Sequence, residues 1–166
     1  MIRSSTILLY ALSLVVVDGS VGTAKADSGR TITSNDVVRI MVNCQAIYTT
    51  ADLPERLKTA FTGITKQREF GLANPGDPYQ ATDVIEDPKL PVRRLIFAGK
   101  CGDFWFIHYE QGGRGHSFAV VFFGENPRGD LSFVWGGRGF SRASSSSDLR
   151  NEIARKTFSD DLPFYW

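Results

Sequence analysis

Long apolar runs are nearly missing from this chain of 166 residues. The longest, Ile7 to Val17 (ILLYALSLVVV), falls short of the roughly 20 apolar residues a bilayer-spanning helix needs, and no later run reaches it. No membrane span is therefore expected. A basic excess is also missing: 19 Lys and Arg stand against 18 Asp and Glu. Nucleic-acid binders carry a basic surplus, so that class is excluded. Histidine is scarce, with His108 and His116 alone. Two imidazoles of uncertain register beside Glu110 do not supply the three or four ligands zinc takes, so no metal is expected. The chain has no GxSxG elbow, no Walker-type phosphate loop and no HExxH, and no cofactor is expected either.

What the chain does have begins with an address. Arg3 gives a positive start, Ile7 to Val17 an apolar stretch, and Ala24-Lys25-Ala26 small residues at the two positions a signal peptidase reads. Residues 1–26 are expected to be a signal peptide and residues 27–166 a single exported domain, periplasmic or extracellular. The residue just after Ala26 is Asp27 and not Cys, which argues against a bacterial lipid anchor. Removing Arg3, Lys25 and Asp18 with the leader leaves equal numbers of acidic and basic side chains. The two cysteines, Cys44 and Cys101, are expected to form a disulfide in an oxidising compartment.

Periodicity predicts the elements. Val37, Ile40, Met41, Cys44, Ile47 and Tyr48 recur at helical steps, with Ser34 or Asn35 as the cap, and place Cys44 on the inward face of a helix. Leu57, Ala60, Phe61 and Ile64 stripe a second helix from Leu53, with Asp52 and Glu55 as a capping-box-like start. Residues 66–91 hold four prolines and keep no period, save a short strand at Ala81 to Ile85. Four strands follow, at Arg93 to Ala98, Asp103 to Glu110, Gly115 to Gly124 and Asp130 to Trp135. Their short, turn-rich links make them antiparallel neighbours, and their consecutive apolar residues mean that both faces are covered. Ala143 to Ser147 is a flexible connection or the cap of a helix at Asp148 to Thr157, and the terminal Leu162-Pro163-Phe164-Tyr165-Trp166 packs aromatics on the core. The fold class is α+β: two N-terminal helices, a four-stranded antiparallel meander and a C-terminal helix. A sheet apolar on both faces leaves monomer or homodimer open.

Two sites emerge. Gly112-Gly113-Arg114-Gly115 and Gly136-Gly137-Arg138-Gly139 repeat one tetrapeptide, the first opening one strand and the second closing its neighbour. In an antiparallel hairpin those ends lie side by side. One rim of the sheet then gathers Arg93, Arg94, Arg114, Arg138 and Arg142 with His108, Glu110 and His116. Arginine forks match carboxylate and phosphate oxygens in pairs, and glycine loops bring backbone N–H groups close to an anion. The expected partner is an unknown protein or a small acidic ligand.

The second site starts from Gly115-His116-Ser117-Phe118-Ala119-Val120-Val121, which resembles the histidine strand of the NlpC/P60 and CHAP cysteine peptidases. Those exported enzymes cut peptidoglycan stem peptides or bridges. The resemblance implies Cys44 as nucleophile and His116 as its base. The family's cysteine begins a helix after Asp and before Ser, whereas Asn43-Cys44-Gln45-Ala46 falls inside the predicted one. A Cys44–Cys101 disulfide would abolish this chemistry. The reading that follows is a non-catalytic binding or interaction protein of the cell envelope, of an inhibitor or immunity type. A cysteine hydrolase is the alternative.

Overall fold

The computed structural model describes residues 31–159 except Glu86 and Arg114. The expected leader, the aromatic C-terminal pentapeptide and the rim residue Arg114 lie outside the described residues. The architecture is α+β, with one five-stranded antiparallel sheet and three α-helices among the described residues. Helix α1 covers Ser34–Ile40, α2 Glu55–Thr65 and α3 Ser146–Ala154. The strands are β1 Gln45–Ile47, β2 Arg93–Cys101, β3 Phe104–Gln111, β4 Ser117–Glu125 and β5 Leu131–Gly139, ordered in space as in sequence.

The expected first helix is half helix and half strand. Thr33, not Ser34 or Asn35, caps α1 by a reciprocal pair with Asp36. The helix stops at Ile40 because Met41 leaves helical geometry and Asn43 takes φ 54°, a left-handed conformation Asn tolerates better than most residues. Cys44 then bonds to Cys101, and the next three residues pair with β2, Ala46 opposite Gly99. Gly99 is required there, since a Cβ would sit 2.7 Å from both the Gln45 carbonyl and the Phe106 ring. A fifth strand thus replaces the second half of a helix, and Cys44 lies on no helix.

The later elements fall close to expectation. Helix α2 begins after Pro54, which offers no side-chain cap; Asp52 ends a 3-10 turn capped by Thr49. The capping-box-like start is therefore absent. Ser145 accepts from the Asp148 N–H and caps α3, which settles the serine run as a cap. Residues 81–85 form no strand. The proline-rich segment is docked instead: Ala73 bridges Arg94, and the Gln80 N–H donates to the Pro91 carbonyl.

Both faces of the sheet are covered. Phe97, Phe106, Val120, Phe122 and Trp135 pack under Val37 and Met41 of the α1 segment and Leu149 and Ile153 of α3. Ala98, Trp105, Ile107, Tyr109, Val121 and Phe123 pack under Leu53, Leu57 and Phe61. The first and last helices share a face, and α2 holds the other. Two bulges tune this: Ile96 with Phe97, and Val134 with Trp135, are consecutive residues that reach the same core. Each fully buried Phe contributes about 2 kcal/mol of burial. Edge-to-face pairs such as Phe97–Phe106, with ring centroids 5.7 Å apart, add specificity. The β5 edge is capped by the Thr31 N–H on the Val134 carbonyl and by a two-way pairing of Ser159 with Arg138. No helix among the described residues is long and apolar enough to cross a membrane.

The disulfide spans 57 positions and ties the α1–β1 segment to the far end of β2. Chain-entropy arithmetic gives it about 4 kcal/mol. Denatured, unreduced protein should titrate with no free thiol, and reduction should lower the unfolding free energy by up to that amount. Two titrating thiols before reduction would contradict the pairing.

Candidate functional site

Side chains on a strand alternate between faces, so the arginines of the rim do not form one group. Arg94 stands opposite Glu110, and its Nε donates to Glu110 Oε1 at 2.5 Å. Arg93, its sequence neighbour, turns to the other face, the side of Tyr109, and is 1% exposed. Burial lowers the Arg93 pKa, and Tyr109 opposes that shift. Arg138 shares Arg93's face. Its Nε donates to Ser117 Oγ at 2.7 Å and its Nη2 to the Gly115 carbonyl at 3.0 Å. Arg142 is exposed, and among the described residues it has no ion pair.

Glu110 is the centre of the first group. Its side chain is 7% exposed. Tyr79, from the proline-rich segment, donates its hydroxyl to Glu110 Oε2 at 3.0 Å. His116 Nε2 lies 3.1 Å from the same oxygen and 3.1 Å from the Tyr79 hydroxyl, so its N–H is shared between them. The Arg94 guanidinium stacks 4.3 Å above the Tyr79 ring. Burial pushes the Glu110 carboxyl up. The hydrogen bonds from Arg94, His116 and Tyr79 outweigh it and hold the group below the ordinary Glu value. Tyr79 is raised in turn, first by burial and then by that carboxylate.

The glycines that position these groups do different jobs. Gly113 and Gly115 take φ 98° and 79° and turn the chain from β3 into β4. Gly112 lets the proline-rich segment lie on that turn, since a Cβ there would collide with the Gln80 carbonyl and with Ala81. The second tetrapeptide is no turn. It is the end of β5, where a Cβ on Gly137 would lie 2.8 Å from both Phe158 and the Trp135 ring.

His108 does not reach the rim. Strand β3 carries it into the core, fully buried between Phe97 and Phe158. Its Nδ1 donates to the Ala119 carbonyl at 2.9 Å, and its Nε2 accepts the Ala143 N–H at 3.3 Å. Both ring nitrogens are used, so the imidazole is neutral with its proton on Nδ1. It cannot share a metal with Glu110 and His116. The register leaves a loop between β3 and β4: Gln111 pairs with Ser117 and Tyr109 with Ala119. Among the described residues no cluster of three or more His, Cys, Asp or Glu could hold a metal.

Cys44 and His116 sit at opposite ends of the sheet. Cys101 lies beside Phe104 at the start of β3, whereas His116 precedes Ser117, which pairs with Gln111 at its end. An eight-residue strand separates them by about 24 Å at 3.4 Å per residue. The disulfide occupies the Cys44 sulfur besides.

At that opposite end stands a second carboxylate knot that the sequence did not reveal. Glu125 accepts from Trp105 Nε1 at 2.8 Å, Lys100 Nζ at 3.0 Å and Arg56 Nη1 at 2.6 Å. Trp105 and Lys100, followed by Arg56, hold its pKa down to about 2. Comparison with known protein families, curated proteins and solved structures found no match to this chain.

Burial drives the His108 pKa down to about 4 from 6.5, against the pull of the Ala119 hydrogen bond. The unfolded chain takes up a proton below 6.5 that the folded chain refuses. Stability is thus complete above that value and falls toward pH 4, by about 3 kcal/mol in all. Urea midpoints measured between about pH 7 and 4.5 should fall for the wild type. They should stay flatter for His108→Phe, although that variant is less stable throughout. Equal slopes would refute the assignment.

Proposed function

We propose that this chain is an exported, non-catalytic binding or interaction protein of the cell envelope, of an inhibitor or immunity type. On this reading the leader is removed and the Arg/Gly rim engages an acidic ligand or the acidic surface of a partner protein. The observation that supports it is the state of the rim's donors. One ionised carboxylate fixes Tyr79, His116 and Arg94 in place. Among the described residues the Arg138 guanidinium is bound to a hydroxyl and a carbonyl, and Arg142 has no carboxylate partner. A rim that is held rigid and is locally cationic costs little to order when an anion docks. The buried Arg93 and His108 support this rim from below and do not touch the ligand.

The cysteine-hydrolase alternative finds no support in the geometry, since its nucleophile is oxidised and a sheet's length from its base. The test is to recover the partner by co-purification from envelope extract and measure its binding by calorimetry. Binding should weaken between about 0.05 M and 0.5 M NaCl. Replacing Arg138 and Arg142 together by Ala should weaken it roughly tenfold. Binding indifferent to both salt and the double replacement would remove the rim from consideration.

A further inference from the structure

Phe140 is the most exposed large apolar residue described, at 82%. Five other phenylalanines (Phe61, Phe97, Phe106, Phe122 and Phe123) are fully buried, so exposure of this ring runs against the habit of the fold. A loose loop does not account for it. Phe140 belongs to a short arch, residues 139–142, whose two feet are pinned. At one foot, Arg138 exchanges backbone hydrogen bonds with Ser159 at 3.3 and 2.7 Å. Gly139 is pressed against the chain beside it, since a Cβ would lie 2.5 Å from the Thr157 carbonyl. At the other foot, the Ala143 N–H is held by the buried His108.

Among the described residues, the charges that flank Phe140 in the sequence have one sign. Arg138 and Arg142 stand two residues either side of Phe140 and have no carboxylate partner among the described residues. The nearby Glu110 is already taken by Arg94 and His116. An aromatic ring with arginine beside it on a preorganised backbone has the make-up of an interface anchor. One ring and two guanidiniums fall short of the polybasic cluster or amphipathic helix that holds a protein to an anionic bilayer.

We infer that the arch 139–142 presents Phe140 as a plug, flanked by Arg138 and Arg142, to a partner protein whose pocket is apolar and bordered by carboxylates. This rests on the binding reading above and names the part of the rim that carries specificity. The ring fills the pocket, and the guanidiniums meet the border and set orientation.

The test places the photo-cross-linker p-benzoylphenylalanine at position 140 and, in a separate protein, at the exposed Val42 near the disulfide. Both are expressed with the full chain and irradiated in cells. Position 140 should yield one identified partner and position 42 should not. With that partner purified, Phe140→Ser should weaken binding by about 30-fold or more and Phe140→Leu by less than about fivefold. Arg142→Glu should weaken it as well and recover when a pocket carboxylate is changed to Lys. Urea midpoints should stay unchanged for the Phe140 variants, because the ring is not in the core. Cross-linking to a second copy of the chain, cosedimentation with phosphatidylglycerol vesicles, or wild-type affinity in Phe140→Ser would each overturn the inference. If Phe140→Ser binds normally while the Arg138 and Arg142 double replacement does not, the arch fails and the rim stands. If no protein or acidic ligand binds, both fail.

Discussion

A carboxylate taken out of water must be paired, and Glu110 is that carboxylate here. Its side chain is almost wholly covered, so an unpaired charge would be costly. Three groups from three parts of the chain answer it: Arg94 from β2, His116 from the approach to β4, and Tyr79 from the proline-rich segment. Remove that demand and the hydroxyl of Tyr79 and the imidazole edge of His116 would keep each other but lose the carboxylate that ties both to the sheet. The charge turns a place where three connections meet into a defined surface.

The register of the sheet decides which groups can respond. Glu110 pairs with Arg94 on one side and with Phe118 on the other, and its two sequence neighbours face away. A slip of one residue would send Tyr109 to the rim and Glu110 into the core of the other face. The register is anchored away from the rim by the Cys44–Cys101 bond and by the Glu125 knot, which draws Arg56 of α2 onto Lys100 and Trp105. The molecule thus has a clamped end and a presenting end. His108 lies between them and carries the connection through the core, since its two nitrogens fasten β4 to the segment that follows the Phe140 arch.

Much of this was legible in the residues alone. Strands β2 to β5 could be read because runs such as Phe118 to Phe123 are dense in β-forming side chains and end in Gly, Asn or Pro. The disulfide followed from having two cysteines behind an expected leader. The end of the first helix was not legible, because Ile47 and Tyr48 fit a helical step and a strand equally well. The choice was made by Asn43 and by the bond to Cys101, which is a tertiary constraint. The rim was legible as a place and not as a network. Alternation sends Arg93 and Arg94 apart, yet which one meets Glu110 depends on the register. Tyr79 gives no local signal at all, since it meets Glu110 across 31 positions. His108 reads as a rim residue because it lies two positions before Glu110 on the same strand, yet that one step inward puts it against Phe158 and the Ala143 N–H in the core.

The central claim is that an ionised Glu110 organises the rim, and its own titration tests that most directly. Carbon-13 NMR of the Glu110 side-chain carboxyl across the acid range should give a midpoint below the ordinary value of 4.5. The resonances of Tyr79 and His116 should move with it. A midpoint at or above 4.5, or a carboxyl that titrates with no response from those two rings, would contradict the account.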